Sequence, residues 1–293
     1  MPNSLIDLRD WPSSEIKKLI DLSFSIEKES TKVSKSSKLV GLLFFESSTR
    51  TRISFEVACS RENHQSFLVS TAAGTSMEKG ESLRDTLDNI LAMNPDLIVI
   101  RSNQDFDQKD YFQNLKIPVI SAGWGQLSHP TQALLDIRSL IKNGLAIEQI
   151  KLVIIGDIKH SRVAHSHLAL SEKLGYQVAV LGSDSMMSND SFKRLHSMEE
   201  AFEWGNVLMA LRYQKERHDS STQDYDYEKF QITKKKLEQW PSEGFLMHPG
   251  PINYGVEITE DTRDYKKNLI LSQAESGVWI RRAALRYLLK DLT

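Results

Sequence analysis

Cysteine is nearly absent: Cys59 is the one thiol in 293 residues. A single thiol builds neither a disulfide framework nor a cysteine-rich zinc site. It sits in a helix-like segment and reads as a small buried hydrophobe. Long apolar runs are missing too; none approaches the length of about 20 residues that a membrane span requires. Residues 1–10 show no basic-then-apolar signal pattern, so a soluble, cytoplasmic protein is expected. Neither sign of charge dominates: 37 Lys and Arg stand against 39 Asp and Glu, a net of -2. That balance argues against a general nucleic-acid or membrane-surface binder, so any anion site must be local. There is no internal repeat and no low-complexity tract.

Several catalytic signatures are missing as well. No Gly-x-x-x-x-Gly-Lys-Ser/Thr loop occurs, so a Walker-type nucleotide cradle is not indicated. Gly156 lacks the companion glycines of a dinucleotide fingerprint. No Gly-x-Ser-x-Gly elbow is present. No carboxylate cluster or His-x-x-x-His spacing points to a catalytic metal, and His165 and His167 point to different sides of a helix. No metal and no cofactor are expected.

What is there is an alternation. Short apolar runs at 39–45, 97–100, 118–121, 152–155, 177–181, 207–210 and 244–247 read as strands, with amphipathic stretches between most of them. Repeated strand–helix alternation predicts an α/β fold with parallel sheets. The length suits about two domains. Residues 151–182 form one strand–helix–strand unit, and the helix opened by His129-Pro130-Thr131-Gln132 bridges the two halves. Residues 274–289 form a last helix.

The most informative stretch is Phe44-Phe45-Glu46-Ser47-Ser48-Thr49-Arg50-Thr51-Arg52. An apolar run feeds into hydroxyls and two arginines at the start of a helix. Helix N-termini offer unpaired N–H groups and positive dipole ends, and arginine adds a planar fork suited to phosphate. The other expected strand ends carry Arg101, His129, Arg162, Arg212 and His248-Pro249. Taken one at a time, these are a helix cap, solvated charges and a turn histidine. Gathered at successive strand ends they suggest one site, since ligands in open α/β sheets collect beyond the carboxyl ends of strands. Such a site is rich in donors and poor in nucleophiles. It suits two anionic substrates that react with each other while the protein positions them and stabilises developing negative charge.

These segments, with Lys79-Gly80-Glu81-Ser82, Gly156-Asp157, Ser161-Arg162-Val163, Arg212-Tyr213-Gln214-Lys215-Glu216-Arg217 and His248-Pro249-Gly250-Pro251, occur in one order along nearly the whole chain. Together they resemble the aspartate/ornithine carbamoyltransferase family. The Arg-x-Gln-x-Glu-Arg segment and the His-Pro-Gly-Pro turn resemble its aspartate-using catalytic chains; an ornithine enzyme would carry His-Cys-Leu-Pro at the latter place. The resemblance implies transfer of the carbamoyl group of carbamoyl phosphate to the amine of L-aspartate, giving N-carbamoyl-L-aspartate and phosphate in pyrimidine biosynthesis. It implies a carbamoyl phosphate domain over 1–135, with a C-terminal helix at 276–293 packing back on it, and an aspartate domain over 136–275.

It also implies roles. Ser48, Thr49, Arg50 and Thr51 would hold phosphate, with Thr51 also near the carbonyl oxygen; Arg101 would bridge phosphate and carbonyl. His129 would donate to that oxygen as it becomes negative. Gln132 and the carbonyls of Pro249 and Gly250 would accept from the carbamoyl amide. Arg162, Arg212 and Gln214 would bind the aspartate carboxylates. Lys79 would reach a neighbouring subunit's site in a homotrimer, and Thr75 or the adjacent Ser76 would touch phosphate. A separate regulatory chain and association with a dihydroorotase are left open. The chain departs from the family pattern at Ser47, Trp124, Ser128 and Tyr254, all in loops.

Overall fold

The computed structural model describes residues 3–29, 33–70, 76–103, 111–112, 114–187, 192–213 and 227–291. In chain order the main elements of the first half are α1 (Ser13–Lys28), β1 (Leu39–Phe44), α2 (Thr49–Arg61), β2 (Gln65–Ser70), α3 (Leu83–Ala92), β3 (Leu97–Ser102), β4 (Val119–Trp124) and α4 (Pro130–Lys142). There follow β5 (Lys151–Ile155), α5 (Arg162–Leu174), β6 (Gln177–Leu181), β7 (Lys193–Arg194), α6 (Met198–Trp204), β8 (Val207–Ala210), α7 (Lys234–Glu238), β9 (Phe245–Met247) and α8 (Ile270–Leu288). The chain divides into two units, Met1–Leu135 with Ser276–Thr293, and Asp136–Glu275. The division falls inside α4 and inside α8.

The first unit is built on a four-stranded sheet in the order β2-β1-β3-β4, with every pair parallel. Its central strands are apolar along their length because helices cover both faces of a parallel sheet. Leu43, Ile98, Ile100 and Val119 pack with Leu83, Leu87 and Ile90 of α3. Those three, at i, i+4 and i+7, lie on one face of the helix. Ser82 caps α3 by accepting from the Asp85 N–H at 3.1 Å. The strand β2 was not expected from sequence. It is an edge strand, half exposed, and its Gln65-Ser66 start carries no apolar alternation.

The C-terminal helix packs on this unit through polar as well as apolar contacts. Arg281 donates to Ser54 Oγ of α2 at 2.9 Å. Arg282 and Arg286 both donate to Glu62, just past the end of α2, at 2.5 and 2.6 Å. Tyr287 donates to Glu15 of α1 and packs at a 40° tilt on Trp11, with ring centroids 5.2 Å apart. Cys59 is buried in α2, and burial pushes its thiol pKa up to about 12.

The second unit holds a five-stranded sheet in the order β7-β6-β5-β8-β9, again parallel throughout. Val153, Ile155, Ala179, Leu181 and Leu208 form its core with Trp240, Leu246 and Ile258. The two-residue β7 was also unexpected; it is an exposed edge piece with no apolar residue. Among the described residues, no helix is long and apolar enough to cross a membrane.

Candidate active site

In the first unit, β1, β3 and β4 are neighbours that run the same way, so their carboxyl ends lie on one edge of the sheet. Adjacent parallel strands are about 4.8 Å apart, which brings the residues following them within reach of each other. Beyond β1, the Phe45 N–H donates to the Arg101 carbonyl at 2.8 Å. Two residues later the chain turns into α2. Ser48 is the N-cap, with extended backbone and no side-chain bond into the helix. The first turn of α2, Thr49 to Arg52, contains no acidic residue. Thr49 and Arg50 are exposed there, while Thr51 is buried. A helix start whose N–H groups its own cap side chain does not take up, flanked by hydroxyls and an arginine, suits an anion.

Arg101 lies at the end of β3 and is held from two sides. One guanidinium nitrogen donates to Glu46 Oε1 at 2.9 Å and another to the Ala122 carbonyl at 3.2 Å. Glu46 thus orients the arginine through a charge-assisted bond. Nothing in its motif marks Glu46 for this role; its contact depends on the β1–β3 pairing. Trp124, expected in a loop, is instead the last residue of β4, and its backbone N–H donates to the Ser128 carbonyl at 2.9 Å, closing a short turn. Ser128 Oγ in turn donates to the Ile6 carbonyl at 2.5 Å, and the Trp124 ring meets Phe112 edge-on at 5.4 Å. Two of the departures from the family pattern are therefore fixed structural contacts. The turn delivers His129 to the start of α4, with Pro130 at the first helical position, where a missing N–H costs nothing. His129 and Gln132 are buried, and the His129 carbonyl accepts the Gln132 N–H at 3.0 Å.

Lys79, exposed, closes a short turn, Ser76–Lys79, and is followed by Gly80. No described contact ties it to the strand-end residues of its own chain. Thr75 lies outside the described residues.

The second unit repeats the arrangement. The ends of β5, β8 and β9 are neighbours on one edge. Gly156 follows β5 with φ +123, in the left-handed half of backbone space, and an added Cβ would come within 3.3 Å of the Leu211 carbonyl. Asp157 follows it, buried, and accepts from His160 Nδ1 at 3.0 Å. Ser161 then caps α5 by accepting from the Ala164 N–H at 3.2 Å. Arg162, the first residue of α5, is 9% exposed. Leu211 extends β8 by donating to the Ile155 carbonyl at 2.8 Å, and Arg212 follows it, half-buried. Gln214 lies outside the described residues. After β9 come His248, Pro249 and Gly250, before a cis Gly250–Pro251 peptide. The His248 ring is fixed at both nitrogens. Nδ1 accepts the Gly250 N–H at 2.8 Å, so Nε2 carries the proton and donates to Glu257 Oε1 at 3.1 Å. Tyr254, a further departure from the family pattern, lies under the Arg263 guanidinium at 4.6 Å.

The strand ends thus present two clusters of donors, one per unit, and no activated nucleophile among the residues singled out. Residues 3–142 match the carbamoyl-P binding domain of aspartate/ornithine carbamoyltransferase, and residues 148–288 match its Asp/Orn binding domain. The aspartate carbamoyltransferase catalytic subunit of Koribacter versatilis is 37% identical over 98% of this chain and 97% of its own. The chain belongs to the aspartate/ornithine carbamoyltransferase family. Solved structures agree. The catalytic subunit of M. Jannaschii aspartate transcarbamoylase superposes with a TM-score of 0.84 at 28% identity, covering 99% of both chains. Aspartate transcarbamoylase from Trypanosoma cruzi, in complex with carbamoyl phosphate and aspartate, gives 0.86 at 25% identity, covering 96% of this chain and 95% of the other.

Proposed function

We propose that this chain is the catalytic chain of an aspartate carbamoyltransferase. It transfers the carbamoyl group of carbamoyl phosphate to the amine of L-aspartate, releasing N-carbamoyl-L-aspartate and phosphate for pyrimidine synthesis, as a soluble cytoplasmic enzyme. The observation that carries this reading is the start of α2: a helix N-terminus with no acidic first-turn residue, next to the clamped Arg101. The first unit, about residues 1–135 with the C-terminal helix, takes carbamoyl phosphate, and the second, about 136–275, takes aspartate.

Ser48, Thr49, Arg50 and Thr51 hold the phosphate, and Arg101 spans phosphate and carbonyl oxygen. The amine of aspartate attacks the carbamoyl carbon, the carbonyl oxygen becomes negative, and the bond from carbon to the phosphate oxygen then breaks. His129 and Thr51 donate to that oxygen. A donor placed there is worth about 3–4 kcal/mol of transition-state stabilisation. Gln132 and the Pro249 and Gly250 carbonyls accept from the carbamoyl NH2 and set the plane of the group. Arg162, Arg212 and Gln214 bind the two carboxylates of aspartate. The departing phosphate takes the proton that the amine loses, so both reacting partners come from the substrates. A cationic ornithine side chain would meet two arginines in the acceptor site, which disfavours it. The working unit is a homotrimer in which Lys79 serves a neighbouring copy's site, and Thr75 or Ser76 touches phosphate; a regulatory chain or a dihydroorotase would join it as a separate protein.

The test is an incubation with carbamoyl phosphate and either aspartate or ornithine, with the product identified by mass. Carbamoyl-aspartate is expected. Carbamoyl-ornithine, or no product from either acceptor, overturns the reading. Arg50→Ala should lower turnover by about 100-fold or more, the scale of losing a principal charge-stabilising donor. Wild-type turnover by that variant removes the cradle assignment.

A further inference from the structure

Inside the second unit, polar side chains from four separate segments join into one buried hydrogen-bonded chain. Asp136 is on α4, His167 on α5, Tyr176 just before β6, and Gln273 on α8. All four are at most 4% exposed. His167 Nε2 meets Asp136 Oδ2 at 3.0 Å, and its Nδ1 meets the Tyr176 hydroxyl at 2.9 Å. Gln273 Nε2 donates to Asp136 Oδ1 at 2.8 Å. The other end of the same amide, Gln273 Oε1, accepts the His248 backbone N–H at 2.9 Å. Glu257 completes the arrangement by accepting from His248 Nε2 at 3.1 Å and from the Asn253 N–H at 2.7 Å.

The chemistry of this chain leaves little freedom. A carboxylate only accepts and a backbone N–H only donates. The residue between Asp136 and His248 must therefore donate at one end and accept at the other, in one orientation. An amide does this. Glutamate would set a second carboxylate against Asp136, and an apolar side chain would leave a buried carboxylate oxygen and a buried N–H with a bond fewer each. His167 holds Asp136 on its other oxygen, and Tyr176 holds His167; its hydroxyl stays protonated because burial and Asp136 raise its pKa well above the usual range. The chain ends at the residue that begins the His248–Pro249–Gly250–Pro251 turn.

We propose that Asp136, His167 and Gln273 are positioning residues for carbamoyl transfer. They fix the backbone at His248 and, through it, the direction of the Pro249 and Gly250 carbonyls. This rests on the reading that those carbonyls accept from the carbamoyl NH2. A carbonyl has no rotamer with which to correct itself, so its aim depends wholly on the backbone. A displacement of about 1 Å in a reacting group can cost about 100-fold in rate.

The experiment compares wild type, Gln273→Met, His167→Leu and His167→Gln. It measures kcat and KM for each substrate, inhibition by inorganic phosphate, and Tm. Met keeps the length of Gln273 but bonds at neither end. Leu removes the donor to Asp136, and Gln places an amide N–H where His167 Nε2 stands. Gln273→Met should lower kcat/KM for carbamoyl phosphate by about tenfold or more, while phosphate inhibition stays within about twofold because the phosphate ligands belong to the first unit. His167→Leu should show a smaller loss in the same parameter, and His167→Gln should recover most of it. A role in stability alone would lower Tm and leave kcat/KM per folded enzyme within about twofold; that result overturns the proposal. So does equal weakening of phosphate inhibition, or a Gln variant no better than Leu. Should Gln273→Met fail to fold, the His167 pair decides by the same criteria. An inactive wild type overturns the functional reading and the positioning role with it. An active wild type with indifferent variants overturns the positioning role alone.

Discussion

Glu62 is the charge on which the C-terminal helix is fastened, and its loss has a calculable effect. Its carboxylate is fully buried and accepts from Arg282 Nε at 2.5 Å, from Arg286 Nε at 2.6 Å and from Ser34 Oγ at 3.1 Å. Glu62→Gln keeps the volume, removes the charge, and turns one acceptor into an NH2 facing an N–H. Removing one member of a buried ion pair costs about 3–5 kcal/mol, because its partner keeps the desolvation penalty. Two guanidiniums share this carboxylate, and Arg282 Nη2 is already buried without a hydrogen-bond partner among the described residues. The first unit has about 150 residues, so its unfolding entropy is about 0.3 kcal/mol/K. The cost then converts to a fall in Tm of about 10–15 °C. Scanning calorimetry of wild type and variant measures it. Replacing Glu62, Arg282 and Arg286 together by apolar residues of similar volume should recover much of the loss, since the desolvation penalty goes with the charges. A Glu62→Gln Tm within about 3 °C of wild type refutes the reasoning, for it means the three groups are not held out of water as a unit.

Three further outcomes follow from the site and its surroundings. Arg212→Ala should raise KM for aspartate by about tenfold or more and leave KM for carbamoyl phosphate within about twofold; equal effects on both substrates would remove its acceptor role. Lys79→Ala chains mixed with Arg50→Ala chains should regain activity if each site draws on two copies, because some mixed sites carry neither defect; a mixture as inactive as its parents argues against sharing. His64 is buried, and neither ring nitrogen has a hydrogen-bond partner among the described residues. Burial lowers its pKa, against the opposing pull of Glu62, Asp291 and Asp96. Between the folded and unfolded pKa values the unfolded chain therefore holds more protons. The stability that neutral His64 contributes is complete above the unfolded pKa of about 6.5 and is lost as pH falls from there through the folded value. Urea unfolding of wild type and His64→Leu across that range should show the wild type losing ground with falling pH, and a constant difference would be the contrary result.

The strands legible in the sequence are mostly or wholly buried. Residues 39–45, 97–100 and 152–155 are nearly continuous apolar runs, and the sheet encloses the strands they form. The strands that sequence reasoning missed, β2 and β7, are edge strands whose residues are exposed or half-buried, so the apolar signal is diluted, whereas the edge strands β4 and β9 are mostly buried and were legible. The helix at 53–61 begins four residues earlier than its apolar pattern, because Thr49 to Arg52 form a first turn whose polar residues carry no periodicity. The strand-end residues Arg50, Arg101, His129, Arg162 and Arg212 were legible because motif and strand end coincide along the chain.

The sequence by itself determined the α/β class, the family and the residue types at the strand ends, for these depend on local order: an apolar run, then a polar turn, then a helix. Partners far apart in the chain were left to the tertiary structure. Glu46 meets Arg101 across 55 positions because β1 pairs with β3, and Gln273 meets Asp136 across 137 because α8 returns beside α4. A buried charge or amide is read from what surrounds it, and the surroundings exist only once the sheets have formed.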